Sequence, residues 1–320
     1  RYILGDTNAL GVVTDTANLP KVREAAQGLS HIKWIVVRGG EENLKVSPPE
    51  YRLEKLLEDD PKVSLPKIDD GDVALMLYTA GTTGKPKGVM LTHANLIASA
   101  EAANKAAELD RWEGPRIGLS AMPTAHIFGV GVMNSGYMVP ERLADGYGVQ
   151  MAWFETERFM QLIQKHRCTT MASVPTMLAL ILNHPRVNEY DLSSLQEVVC
   201  GAAPLPVELA RAFSERYNCR VREIYGLTEN TGLGTANRLS APYKPGTIGK
   251  PYFNTEVKIF DENDHPLSAG QRGEIAMRGP AVMKGYHNRP EATAEALRNG
   301  WLHTGDIGYY DEEGYFYIVD

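Results

Sequence analysis

Short apolar runs alternate with amphipathic ones along this chain, and the alternation changes character twice. Over residues 1–60, KVREAAQ reads as a short polar helix, WIVV as a buried strand and YRLEKLLED as an amphipathic helix. Pro61 to Gly71, with two prolines and a charged turn, reads as a connecting loop. From Val73 the signals sharpen. VALMLY is a buried strand, a Gly/Thr/Lys loop follows, and then come the strand VML and a long helix, HANLIASAEAANKAAEL, opened by Thr92 as its N-cap.

A regular alternation takes over from there. The strands IGLSAM, VQMAW, TTMAS, EVVC and VREIY are separated by helices from Ile127 to Met138, at ERFMQLIQKH, at TMLALIL behind Pro175, and at VELARAFSERY. Strand–helix alternation of this length implies right-handed crossovers and a mostly parallel sheet, with ligands held by loops leaving the carboxyl ends of strands. Beyond Pro245 the style changes. EVKIF, GEIAMRG and GYFYIV are short strands divided by turn clusters, with one helix candidate at EATAEALRN. The expected fold class is α/β: mostly parallel sheets with flanking helices, plus a smaller antiparallel, β-rich, barrel-like subdomain. The expected divisions are a partial N-terminal α/β segment at 1–72, an α/β subdomain at 73–240 and the β-rich subdomain at 241–320.

Composition narrows the class. The 320 residues carry 33 Lys and Arg against 40 Asp and Glu, a formal charge of −7, and 43% are apolar. That length suggests about two domains and that apolar share supports a real core. The acidic balance, with no Lys/Arg-rich run, argues against nucleic acid as a partner. No window approaches the roughly 18 consecutive apolar residues of a membrane span, so disordered, fibrous, disulfide-scaffold and integral-membrane classes fall away. Cys168, Cys200 and Cys219 are far apart without a CxxC pair. They read as buried small hydrophobes in a reducing compartment, which points to a cytoplasmic location. The eight histidines show no HExxH or HxH spacing, which argues against zinc. Both ends, Arg1 without a methionine and Asp320 just after YFYIV, read as cuts through a longer protein, and an upstream targeting segment stays open.

The strongest chemical signal is Tyr78 to Gly88, YTAGTTGKPKG. Gly81, Gly84 and Gly88 free the backbone to curl and expose N–H groups, Thr79, Thr82 and Thr83 add hydroxyls, and Lys85 and Lys87 add positive charge. Those are the parts that surround a polyphosphate. The loop is not a Walker A motif, because Pro86 interrupts where the helix should begin. In YGLTE (Tyr225 to Glu229) a strand ends and the chain turns at Gly226, bringing Tyr225, Thr228 and Glu229 to a sheet edge. CGAAPLP places Gly201, Ala202 and Ala203 after another strand, leaving a slot that larger side chains would fill.

Together with MPTAHIFG (Met122 to Gly129) and GWLHTGDIG (Gly300 to Gly308), these stretches resemble, in order, the signatures of the adenylate-forming superfamily. That group contains acyl-CoA synthetases, adenylation domains of peptide synthetases and beetle luciferases. The resemblance runs from about Asp70 onward and is weak before it. It implies ATP, Mg²⁺ and coenzyme A as cofactors and a small carboxylic acid as substrate, with nucleotide and acyl binding in the 73–240 subdomain. It implies Tyr225 stacking on adenine, Thr228 on the α-phosphate, Glu229 on Mg²⁺, Asp306 on the ribose hydroxyls and Gly201 to Ala203 flanking adenine and acyl group. It further implies Lys87 on the phosphates and His126 beside the acyl carboxylate, while His303 reads as an incidental loop histidine.

Amino-acid-activating members carry an Asp in the segment equivalent to MPTAHIFG, whereas Ala121 to Gly131 has no acidic residue, so a fatty or aryl acid is favoured. Ala80 stands where the family commonly has Ser. The C-terminal lid domain that such members swing over the site would follow YFYIVD, so this stretch alone is expected to bind nucleotide but to be catalytically impaired. Alternatives are an acid-adenylating enzyme loading a carrier protein, a luciferase-like member, or a non-catalytic nucleotide-binding module; the oligomeric state is open.

Overall fold

The structure, a computed structural model, describes residues 1–40, 49–58, 64–80, 84–143, 145–241 and 244–319. It divides into two compact units, Arg1–Ile68 and Asp69–Asp320.

The first unit runs α1 (Tyr2–Asp6), β1 (Gly11–Asp15), α2 (Leu19–Ala26), β2 (Trp34–Arg38), β3 (Glu50–Arg52) and α3 (Leu53–Leu56). Its three strands form a parallel sheet in the order β1-β2-β3, and Leu19 of α2 is buried with Ile35 and Val37 of β2. The helix expected over YRLEKLLED is only partly formed. Tyr51 and Arg52 pair with Val36 and Val37 instead, leaving Leu53–Leu56 helical. An unpaired parallel edge offers those backbone groups partners, and tertiary context overrides local helical preference.

The second unit opens with a hairpin, β4 (Val73–Thr79) and β5 (Lys87–Thr92), in which Thr79 lies directly opposite Lys87. Helix α4 (His93–Ala106) follows at once. Thr92 caps it as expected: its hydroxyl accepts the Asn95 N–H at 3.1 Å while the Asn95 side chain accepts the Thr92 N–H at 2.9 Å. The central elements are β6 (Ile117–Ser120), α5 (Ile127–Tyr137), β7 (Tyr147–Gln150), α6 (Thr156–His166), β8 (Thr170–Ser173), α7 (Pro175–Leu182), β9 (Glu197–Cys200), α8 (Val207–Tyr217) and β10 (Arg220–Tyr225). Two short strands, β11 (Thr235–Ala236) and β12 (Lys250–Pro251), complete a seven-stranded sheet in the order β12-β11-β10-β9-β8-β6-β7. Strands β6 to β10 are parallel, and β11 and β12 add to the β10 edge antiparallel.

The apolar faces foreseen in the three consecutive helices meet that sheet. Phe159 and Ile163 of α6, Leu178 and Ile181 of α7 and Phe213 of α8 are fully buried in one cluster with sheet residues such as Met171 and Val198. Each such side chain contributes about 1.5–3 kcal/mol by leaving water. Strand order reverses between β6 and β8, since the chain steps to β7 on one side and then to β8 on the other. The loop after β6 therefore opens at a topological switch point, where α/β sheets form their ligand crevices.

The remaining strands are β13 (Glu256–Phe260), β14 (Gly273–Arg278), β15 (Gly285–Tyr286), β16 (Leu302–Tyr310) and β17 (Phe316–Ile318), with α9 (Pro290–Ala296) between β15 and β16. Four of them form an antiparallel sheet, β13-β14-β16-β17, while β15 pairs with β5 of the opening hairpin. The α/β class with mostly parallel sheets and a smaller antiparallel part is what the structure has. One local reading changes: His303 lies within strand β16, as Asp306 does, rather than in a loop.

Candidate functional site

The hairpin loop delivers its charge through strand geometry. Lys87 is the first residue of β5, half-buried at the mouth of the turn, so no helix follows the loop. Gly84 and Lys85 are exposed on that turn; Gly81, Thr82 and Thr83 lie outside the described residues. The Lys87 ammonium sits 5.1 Å from the centre of the Tyr286 ring and makes no ion pair among the described residues. Tyr286 reaches it because β15 pairs with β5, setting Tyr286 opposite Val89.

The same tyrosine touches the second charged group. Its hydroxyl donates to Oε1 of Glu229 at 2.9 Å. Thr228 and Glu229 lie in a short 3₁₀ turn, Thr228–Asn230, immediately after β10. That turn is fixed from several sides. Asn230 accepts the Leu227 N–H at 2.8 Å, the Met283 N–H donates to the Glu229 carbonyl at 2.8 Å, and Ser99 of α4 donates to the Thr231 carbonyl at 3.0 Å. Gly226 is required here by space: a Cβ would fall 2.3 Å from the backbone of Gly232. Burial, with the Glu229 charge beside it, pushes the Tyr286 phenol upward, so at neutral pH it remains an O–H donor.

A second tyrosine–carboxylate pair lies alongside. Tyr225, the last residue of β10, donates its hydroxyl to Asp306 on β16. Burial and the Asp306 charge raise its phenol, and the more distant Glu229 adds to the same effect, so the two carboxylates belong to one electrostatic site. The Asp306 turn is held by a network that the sequence did not reveal. Glu274 on β14 accepts the Gly305 N–H at 2.9 Å, pairs with His303 Nδ1 at 2.8 Å and accepts from Arg298 at 3.0 Å. Thr304 donates to the Ile275 carbonyl at 2.7 Å and accepts the Asp306 N–H at 3.1 Å. His303 is thus a buried brace of this turn rather than an incidental loop residue.

The CGAAPLP loop packs on β10. Gly201 is buried and a Cβ there would lie 2.8 Å from Ile224, while Ala202 adopts a left-handed backbone, φ +67°, with Ala202 and Ala203 exposed. For a residue with a Cβ that conformation is strained and persists only where its surroundings enforce it. Cys200, which opens the loop, is a packing residue: burial pushes its thiol up to about 12. Glu223, two residues before Tyr225, had escaped attention in the sequence. It is buried, accepts the Leu205 N–H at 3.3 Å, and has no ion pair among the described residues, so burial pushes its carboxyl up to about 7.

His126 caps α5: its Nδ1 accepts the Phe128 N–H at 3.2 Å, which leaves Nε2 to carry the proton of the neutral ring. It is exposed, and no hydrogen bond joins it to Lys87, Glu229 or Asp306. Its neighbour Ile127 packs beside Gly232, just past the Thr228–Asn230 turn, which puts the start of α5 next to the site. Among the described residues no group of three or more His, Cys, Asp or Glu could hold a metal ion, and no helix is long and apolar enough to cross a membrane.

The pattern of the AMP-binding enzyme family matches residues 1–287. A long-chain-fatty-acid–CoA ligase of Bacillus subtilis is 41% identical over 261 residues, which cover 81% of this chain and 46% of that protein. A feruloyl-CoA synthase of Amycolatopsis is 39% identical over 263 residues, covering 82% of this chain and 52% of that protein. The chain therefore spans about half the length of these relatives. Among solved structures, the O-succinylbenzoate coenzyme A synthetase of Bacillus subtilis in complex with ATP and magnesium ion superposes with a TM-score of 0.80 at 27% identity, covering 100% of this chain and 61% of that one.

Proposed function

This chain belongs to the AMP-binding enzyme family, and from that premise we propose that it is the nucleotide-binding part of an AMP-forming acid–thiol ligase acting on a fatty or aryl acid. The observation that supports this reading most is the open valence of Lys87, Glu229 and Asp306. Each lacks an opposite charge among the described residues, and each is oriented by a tyrosine at the carboxyl side of the sheet.

ATP is bound with Lys87 and the 79–85 loop, including Thr79, Gly84 and Lys85, on its phosphates and Thr228 on the α-phosphate. Asp306 accepts from the ribose hydroxyls, and Tyr225 stacks on adenine against the Gly201–Ala203 slot beside Gly226. One carboxylate, Glu229, without a protein cage suits Mg²⁺, which keeps water and phosphate oxygens as its other ligands. When bound, that ion neutralises charge growing on the phosphates. The substrate carboxylate, with His126 beside it, attacks the α-phosphorus in line; the bond to pyrophosphate breaks and acyl-AMP forms. The sulfur of coenzyme A then attacks the acyl carbonyl and AMP leaves. Positioning and fixed charge account for such catalysis, since the protein supplies no covalent group.

Substrate chemistry follows from what the switch-point loop lacks. Ala121 to Gly131 has no acidic side chain to pair an ammonium, so a plain carboxylic acid is preferred over an amino acid. Isothermal titration of the chain with ATP and Mg²⁺ tests the reading: saturable binding is expected, and a folded sample that binds neither ATP nor AMP overturns it. Pyrophosphate release with a panel of acids, with coenzyme A or a carrier protein as acceptor, then separates the ligase from a carrier-loading enzyme.

A further inference from the structure

Two of the groups assigned to phosphate and metal come from distant parts of the chain, and a third residue, to which the motifs assign nothing, touches both. Tyr286 places its ring 5.1 Å from the Lys87 ammonium and its hydroxyl 2.9 Å from Glu229. Its own position is over-determined. β15 is hydrogen-bonded to β5, the Tyr286 N–H donates to Thr293 Oγ1 at 2.9 Å, and Thr293 in turn donates to the Arg289 carbonyl at 2.9 Å. These bonds fix the backbone from which the tyrosine ring projects toward Lys87 and Glu229.

We propose that Tyr286 is a positioning residue that couples the phosphate lysine to the metal-side carboxylate. Its hydroxyl fixes Oε1 of Glu229 so that the other oxygen is presented to a divalent cation, and its ring face holds the Lys87 ammonium. Two physical effects divide the work. The hydrogen bond to an ionised carboxylate is charge-assisted and directional. The ring attracts the ammonium through its quadrupole within about 6 Å of the centroid. Among the described residues no other hydrogen bond reaches the Glu229 carboxylate and no carboxylate pairs with Lys87, so Tyr286 is what keeps two opposite charges from collapsing onto each other before the nucleotide arrives.

The inference rests on Glu229 being the metal-side carboxylate, and the experiment separates the two claims. Calorimetric ATP affinity is measured for the folded chain in EDTA and in excess Mg²⁺, and the ratio gives the metal-dependent gain. Glu229→Gln is expected to abolish the gain; if it does not, the assignment of Glu229 fails. Tyr286→Phe keeps the ring and is expected to reduce the gain about 3- to 10-fold with affinity in EDTA unchanged. Tyr286→Leu removes the ring as well and is expected to weaken binding in EDTA a further 3-fold or more. Thr293→Val, which keeps the tyrosine but removes the acceptor of its N–H together with the bond to the Arg289 carbonyl, gives a loss of about 2-fold in the same direction and serves if the tyrosine variants do not fold. A full Mg²⁺ gain in Tyr286→Phe, with the gain lost in Glu229→Gln, overturns the coupling while leaving the metal assignment standing. Equal EDTA affinity in Tyr286→Phe and Tyr286→Leu overturns the role of the ring.

Discussion

The two ends of the large parallel sheet treat charge in opposite ways. At the amino end, Glu197 opens β9 with 1% exposure and accepts from Arg222 at 2.7 Å, with Arg116 at 3.3 Å on its other oxygen. The buried carboxylate there is held by two guanidiniums. At the carboxyl end, Lys87, Glu229 and Asp306 meet tyrosines rather than counter-ions among the described residues, and Glu223 is buried with no cation paired to it among them. Neighbouring strands thus carry one carboxyl lowered by its two guanidiniums, although burial opposes it, and one raised by burial. The amino end uses its polar groups for stability; the carboxyl end leaves valences open, and such open valences are what a polyanionic ligand with its cation can fill.

Breaking the amino end should have the largest effect. Glu197→Ala leaves the buried Arg222 guanidinium and the partly buried Arg116 uncompensated and is expected to cost about 3–5 kcal/mol of stability, read as a shift in urea midpoint. Whatever remains folded should bind ATP with unchanged affinity, and a selective loss of binding would contradict the separation of the two ends. Lys87→Ala is the converse. It should lower ATP affinity about 10-fold or more, as expected for a charge-assisted phosphate contact, while the melting temperature stays within experimental error.

Acidity distinguishes the ends by sign. Glu223 keeps its proton up to about 7 in the folded chain, whereas in the unfolded chain it loses it near the ordinary value of about 4.3. Between those values the folded state binds more protons, so stability falls as pH rises and levels off above about 7. Glu197 has a lowered folded value, so its contribution is present above the ordinary carboxyl range and is lost as pH falls through the lowered value. Glu223→Gln should flatten the first slope, on the order of 3–4 kcal/mol, and leave the acid limb intact. Urea midpoints taken across the acid-to-neutral range would reveal a slope that survives the substitution, which would exclude Glu223 as its source.

The smallest effect belongs to the brace behind Asp306. Glu274→Gln keeps one acceptor for the Gly305 N–H but weakens the pair with His303, and about a 3-fold loss of ATP affinity is expected, within the range of one hydrogen bond. If Asp306 binds ribose, that penalty should shrink with 2′-deoxy-ATP; an equal loss for both nucleotides would make the brace merely structural.

The legible parts of the molecule were those in which local sequence carries its own physical code. Thr92 and Asn95 declare a helix start, TTMAS can only be a buried strand, and Gly226 marks a turn that no side chain fits. VALMLY is a strand as expected, but only Leu77 of it is buried and Val73 and Ala74 are exposed, because it pairs with β5 in a hairpin rather than inside the parallel sheet. YRLEKLLED was misread because the choice between helix and strand depended on an edge supplied by β2. His303 was misread because its burial depends on Glu274, 29 residues away. Tyr286 and Glu223 carried no signal, since one acts through a strand pairing across roughly 200 residues and the other through burial alone.

By itself, then, the sequence determined the order of strands and helices, the parallel core and a set of candidate nucleotide-binding groups, because periodicity, capping and side-chain chemistry are local properties. Tertiary structure alone decided which of those groups face one another. Hydrogen-bonded strand pairing and desolvation act between residues far apart in the chain, and they convert an isolated lysine, two carboxylates and two tyrosines into one site.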